Sequence, residues 1–149
     1  MNTRLTASAI TVADPIAAVR MWFEQLGRYC AAVDYASGRV LFAPDVVSFG
    51  TKATIVTGLD HLQANQWEGI WPNIKDFQIE QDTIHGGGDD HQAWGVATWT
   101  STGFDEQGKP FDRPGRATVI LERRDDAWVA VHTHFSLAPG TPPRTYGAK

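Results

Sequence analysis

Two long runs rich in β-branched residues, Arg116 to Arg124 and Trp128 to Leu137, meet at the dipeptide Asp125-Asp126. The pattern reads as an antiparallel hairpin with a two-residue loop, because Asp tolerates the positive φ that such a tight turn requires. That turn sets Arg124 opposite Ala127, and counting back along a regular ladder puts Val119 opposite His132 and Ala117 opposite His134. One face of the pair then carries Ala117, Val119, Leu121, Trp128, Ala130, His132, His134 and Ser136. Apart from the two imidazoles and the serine it is apolar, so it is expected to look inward. The other face carries Arg116, Thr118, Ile120, Glu122, Arg124, Val131 and Phe135, a mixture suited to a surface that partly packs against another subunit.

The rest of the chain supplies what such a sheet would cover. Asp14 as N-cap, Pro15 at the first helical position, and Ile16, Val19, Phe23, Leu26, Cys30 and Val33 at alternating spacings of three and four predict a long helix with one apolar side. Asp34 is placed to cap a short second helix from Tyr35 to Phe42, although Gly38 weakens it and Val40-Leu41-Phe42 would also start a strand. The runs Val46 to Phe49 and Ala53 to Val56 flank Gly50-Thr51-Lys52 as a hairpin. A third helix begins near Thr57-Gly58-Leu59-Asp60 and ends at Pro72. Beyond Pro72 the strands Phe77 to His85, Gln92 to Phe104, Arg116 to Arg124 and Trp128 to Leu137 predict a four-stranded meander, with Gly86 to Asp90 as a connection and Pro139 to Lys149 as an irregular tail. That connection is not a phosphate loop, since no helix follows it.

A chain of 149 residues with 42% hydrophobic content is expected to form one domain around one core, centred on residues 14 to 138. The net charge is −4 and the 13 Lys and Arg are scattered, so a nucleic-acid surface, which needs clustered cations, is not expected. Cys30 stands alone, without a disulfide partner or zinc-type spacing, which points to a reducing cytoplasm. Met1 to Ala13 lacks the apolar run of a signal peptide, and nowhere do eighteen apolar residues run together, so neither export nor a membrane span is expected.

The segments Gly115 to Arg124, Trp128 and Val131-His132-Thr133-His134-Phe135-Ser136-Leu137 resemble the closing hairpin of SnoaL-like domains, in the nuclear transport factor 2-like superfamily. Leu41 to Thr51 is similar to that family's segment after the second helix, and Thr57-Gly58-Leu59-Asp60 to its third helix start. The closing hairpin is also similar to the association domain of calcium/calmodulin-dependent kinase, an assembly module. The resemblance implies an α+β cone: a curved, mostly antiparallel sheet around a long N-terminal helix, with two further helices, a pocket at the open end, and an outer sheet face used for homodimers. It implies no steroid isomerase chemistry, because the carboxylate base of that branch would fall just after Asp45, and Val46 to Leu59 contains no Asp or Glu.

A small organic ligand, no cofactor and no metal are therefore expected. Two imidazoles on an inner face need partners, whether a ligand, a buried Asp or Tyr, or water. Any catalysis is assigned to His132 or His134 as general acid/base beside a carbonyl, in an isomerase, dehydratase or polyketide cyclase-like reaction, with Asp45 or Asp34 orienting the ring. Both carboxylates also fit plainer roles, Asp34 as a helix cap and Asp45 as a turn residue. A His-x-His pair can bind zinc but lacks a third ligand, which leaves a metal-dependent hydrolase as a third reading. Trp67, Trp71, Trp99 and Trp128 are candidates for an aromatic cage or for simple core, together with Tyr29 and Ser136 as ligand contacts. Trp94, on the opposite strand face from Trp99, is expected at a dimer interface. The alternative reading is a non-catalytic dimerisation or assembly module.

Overall fold

The computed structural model describes residues 8–149. Helix α1 spans Pro15–Ala32, and the Asp14 carboxylate accepts from the Ala17 N–H at its N-terminus. At the other end Val33 adopts a left-handed conformation (φ 53°) and stops the helix. The buried stripe is Ala18, Val19, Trp22, Phe23, Leu26, Tyr29 and Cys30. It is rotated from the predicted one: Ile16 and Val33, at the two ends, are exposed, and Trp22 lies at the centre. Helix α2 is shorter than predicted, Tyr35–Arg39, capped by Asp34, whose carboxylate accepts from the Ser37 backbone N–H.

The strands form one sheet in the order β2-β1-β8-β7-β5-β3, from β1 (Phe42–Phe49), β2 (Val56–Thr57), β3 (Lys75–Ile79), β5 (Gln92–Phe104), β7 (Gly115–Arg124) and β8 (Ala127–Leu137). Two short strands, β4 (His85–Gly88) and β6 (Pro110–Asp112), also pair with β5. All pairings are antiparallel except β1 with β8, which is parallel. The predicted strand from Phe77 to His85 is therefore two strands, laid end to end along the thirteen-residue β5. The step between them is a 3₁₀ turn, Gln81–Thr83, held where Thr83 Oγ1 donates to the Glu80 carbonyl and accepts from the Thr98 N–H.

The expected Gly86 to Asp90 connection is, over its first three residues, strand β4. Its glycines explain why. Gly86 pairs with Gly95 on β5, and a side chain at Gly95 would overlap Val19 of α1. Bare backbone here lets the helix sit directly on the sheet, so composition that reads as loop is a close helix–sheet contact.

Between β2 and β3 the predicted third helix is a broken one. It runs as α3 (Leu59–Leu62), a π-helical turn (Gln63–Trp67), α4 (Glu68–Ile70) and a 3₁₀ turn (Trp71–Asn73). The core forms one cluster. At its far end the described part of the N-terminal segment takes part, because Ile10 bridges Trp128 and the Trp128 indole N–H donates to the Val12 carbonyl at 2.8 Å. The rest of that segment lies outside the described residues. The C-terminal tail is irregular but tied down: Thr145 Oγ1 donates to the Asn73 carbonyl, and the Tyr146 N–H to the Phe104 carbonyl.

The hairpin of β7 and β8 turns at Asp125 and Asp126, both at positive φ (49° and 63°), with Arg124 opposite Ala127 as expected. The regular ladder holds as far as Leu121 opposite Ala130 and then shifts. Ile120 pairs with His132, Val119 with Thr133 and Thr118 with His134, which leaves Val131 as an extra residue on β8. This is a β-bulge, and beyond it every side chain of β8 changes face.

Candidate functional site: a cavity behind the bulge

Because of the bulge, His132, His134 and Ser136 do not look inward. Thr133, 3% exposed, takes the inner position, where its hydroxyl bonds Ser48 Oγ at 2.7 Å. His132 donates from Nδ1 to the Val47 carbonyl at 2.7 Å, and His134 is exposed; both rings lie edge-on to Phe49, 5.6 and 5.1 Å away. Ser136 is opposite Arg116 and accepts from its Nε. The imidazoles are thus outer-face residues, and the same shift moves Phe135 from the outer to the inner side.

Asp45 is also outside. It is exposed and pairs with Arg124 (Nη1–Oδ1 2.7 Å), which holds its carboxyl below the usual range. Its plainer role is the one observed, a surface ion pair near the turn. Trp128 is core beside Ile10 and Val12, and Tyr29 is buried in α1.

The other three candidate indoles converge. Trp67, in the π turn, and Trp71 stack face to face with centroids 4.5 Å apart, and Tyr35 stacks on Trp71 at 5.5 Å. Trp99, from the inner face of β5, packs beside Phe77 at 5.4 Å. With Leu26, Cys30, Leu62, Phe49 and Phe135 they enclose a partly open cavity of about 50 Å³. That is room for a few water-sized groups, so the indoles narrow the hollow without filling it.

The polar part of the wall comes from Thr51, Gln66, Arg113 and Thr133. Gln66, also in the π turn, accepts from the Lys52 and Ala53 N–H groups (3.0 and 2.8 Å) and donates to Thr51 Oγ1 at 2.9 Å, tying the loop after β1 to the helix. A π turn inserts one residue per turn beyond the α-helical count, and such turns recur at functional sites. Here it brings Gln66 and Trp67 to the cavity together.

Arg113, on the link from β6 to β7, was not among the residues expected from the sequence. It is 3% exposed, lies 5.5 Å from the Trp99 ring centre and lines the cavity. Burial lowers its pKa to about 10, so it is still charged at neutral pH. Burial pushes the Cys30 thiol well above its ordinary value, so it remains neutral and gives no counter-charge. Among the described residues no Asp or Glu lines the cavity. Among the described residues no group of His, Cys, Asp or Glu is placed to hold a metal ion, and no helix is long and apolar enough to cross a membrane.

Comparison with known proteins places this geometry. A family model for the SnoaL-like domain matches residues 18–140. Among solved structures, a candidate calcium/calmodulin-dependent protein kinase II association domain from Xanthomonas campestris is similar at 23% identity, covering 94% of this chain and 100% of its own, with a TM-score of 0.68. An uncharacterized protein with a cystatin-like fold from Caulobacter vibrioides aligns at 16% identity over 85% and 91% of the two chains, TM-score 0.71. A candidate dehydratase of the nuclear transport factor 2-like family from Streptomyces avermitilis aligns at 15% identity over 83% and 95%, TM-score 0.68. At these identities the structures share a fold and say nothing of shared chemistry. Among curated proteins, none matches the chain.

Proposed function

Since this chain belongs to the SnoaL-like domain family, we propose that it is a small-molecule-binding domain whose ligand enters the cavity between the π turn and the inner face of the sheet. The observation that carries this reading is the unfilled space among Trp67, Trp71 and Trp99, three indoles that are themselves buried. Aromatic walls with a few fixed polar groups suit an organic molecule with an unsaturated or apolar body. The lining supports binding rather than proton transfer. Its titratable groups are a neutral thiol and a charged guanidinium, and neither exchanges a proton readily near pH 7. The outward histidines are not part of this reading. A panel of small monocyclic aromatic compounds, charged and neutral, whose rings would extend through the open mouth of the cavity, is expected to contain members that raise the melting temperature, by about 2.7 kcal/mol of stabilisation at a hundredfold excess over Kd. A panel in which no compound shifts it contradicts the proposal.

We also infer that the outer sheet face forms a homodimer. Trp94 is 50% exposed, and the pairing register sets it in one row with Ile120, His132 and Val47 across four strands. Val96, Thr118, His134 and Phe49 form the next row. A large exposed indole among apolar neighbours suits the centre of an interface, where aromatic residues are enriched. Native mass measurement is expected to give a dimer for the natural sequence and a monomer for Trp94→Glu. A natural sequence that is monomeric at micromolar concentration rejects the interface.

A further inference from the structure

We infer that the ligand of this cavity is an organic acid, and that Arg113 binds its carboxylate while Trp67, Trp71 and Trp99 hold its apolar body. The inference rests on the cavity being a binding site, and adds the chemical class of what it binds. Arg113 is fixed by its own backbone, whose N–H donates to the Ser101 carbonyl at 2.9 Å and whose carbonyl accepts from Ser101 Oγ at 2.8 Å. Its guanidinium then has two hydroxyl acceptors, Thr51 Oγ1 at 3.1 Å from Nη2 and Ser101 Oγ at 3.4 Å from Nη1, out of five N–H donors. Among the described residues the ion pairs involve Arg39 and Arg124, and Arg113 has none. A buried cation held by two neutral hydroxyls and one ring face is retained at a cost in stability, unless an anion arrives to pair it.

A second observation points the same way. Among the described residues the buried Trp99 indole N–H has no acceptor, although Trp99 lines the cavity and is 1% exposed. Thr51 Oγ1 receives donors from both Gln66 and Arg113, so its own proton is free to be donated. Gln66 Oε1 is already occupied by two backbone N–H groups. The polar wall around Arg113 therefore offers donors and keeps its acceptors engaged, which suits a carboxylate with two oxygens and about four acceptor sites.

The test compares phenylacetate and benzoate with their neutral amides, phenylacetamide and benzamide, by calorimetric titration of the full chain at pH 7. An amide keeps the shape and loses the charge. Each acid is expected to bind about 10–100-fold tighter than its amide, the range of a charge-assisted hydrogen bond. In Arg113→Gln that ratio should fall to within about threefold. Amides that match their acids overturn the assignment of Arg113 while leaving the cavity as a binding site, and an unchanged ratio in Arg113→Gln does the same. If neither acids nor amides bind, the cavity reading fails and the inference with it. Should Arg113→Gln not fold, the ratio on the natural sequence decides alone.

Discussion

Trp22→Ala is expected to lower the unfolding free energy by about 3–5 kcal/mol, the range for truncating a fully buried aromatic side chain. Trp22 has no exposed surface and contacts Phe23 and Phe42 with ring centroids 5.3 and 5.4 Å away. Its indole N–H also donates to the Leu41 carbonyl at 2.8 Å, tying α1 to the start of β1. That carbonyl keeps a second donor, the Ala130 N–H at 2.9 Å, so it is not stranded by the substitution and no further penalty is added. Small domains have about 5–15 kcal/mol in all, so the variant should melt far below the natural protein or be unfolded at 37 °C. A guanidinium titration measures it directly. A loss under about 1 kcal/mol would mean that the α1 stripe is placed wrongly.

Gly115→Val should have an effect of similar size through the opposite fault, overpacking. Gly115 is opposite Trp99 in the ladder, and a Cβ there would overlap both the Trp99 ring and the Ser136 carbonyl. The carbonyl belongs to a paired strand and cannot turn aside, while the ring is confined by Phe77 and Arg113. The expected cost is at or above the upper end of the usual 1–3 kcal/mol for added core volume. The substitution also reaches the site, because the ring it displaces is a cavity wall. Melting temperature and affinity for an aromatic ligand should therefore fall together. Natural stability in Gly115→Val would show that the indole does not lie across β7.

Much of this architecture can be read along the chain. Asp14-Pro15 starts α1, Asp125-Asp126 makes the turn, and alternation along β5 separates buried Trp99 from exposed Trp94. Each is a local signal, set by a cap, a turn conformation or a two-residue period. The candidate site was less legible, because its geometry depends on irregularities that alternation does not announce. One bulged residue, Val131, reverses the face of everything after it on β8, so counting from a correctly placed turn aims His132 and His134 the wrong way. Beyond the bulge Val47 and Phe49 of β1 lie beside His132 and His134, while Ser48 meets Thr133, a parallel pairing between distant segments that spacing along β8 does not reveal.

The π turn is similarly silent, since its residues Gln63 to Trp67 have ordinary helical composition. The glycines of β4 read as a loop because the reason for them is a neighbouring helix. Arg113 follows an acidic residue and precedes a proline in a segment with turn chemistry, where a charged side chain is expected to be solvated. Only the assembled fold shows that it is buried without a carboxylate.

A ligand can meet the inner or the outer side of the sheet, and the tryptophans report which. Each tryptophan carries a single indole N–H, and titrating the protein with phenylacetate while recording proton–nitrogen spectra reads all six at once. Saturable shifts of the Trp67, Trp71 and Trp99 signals, with Trp94 and Trp128 unmoved, are the predicted result. A titration that moves Trp94 and leaves those three in place would contradict it, and would return the function to the histidine-bearing outer face.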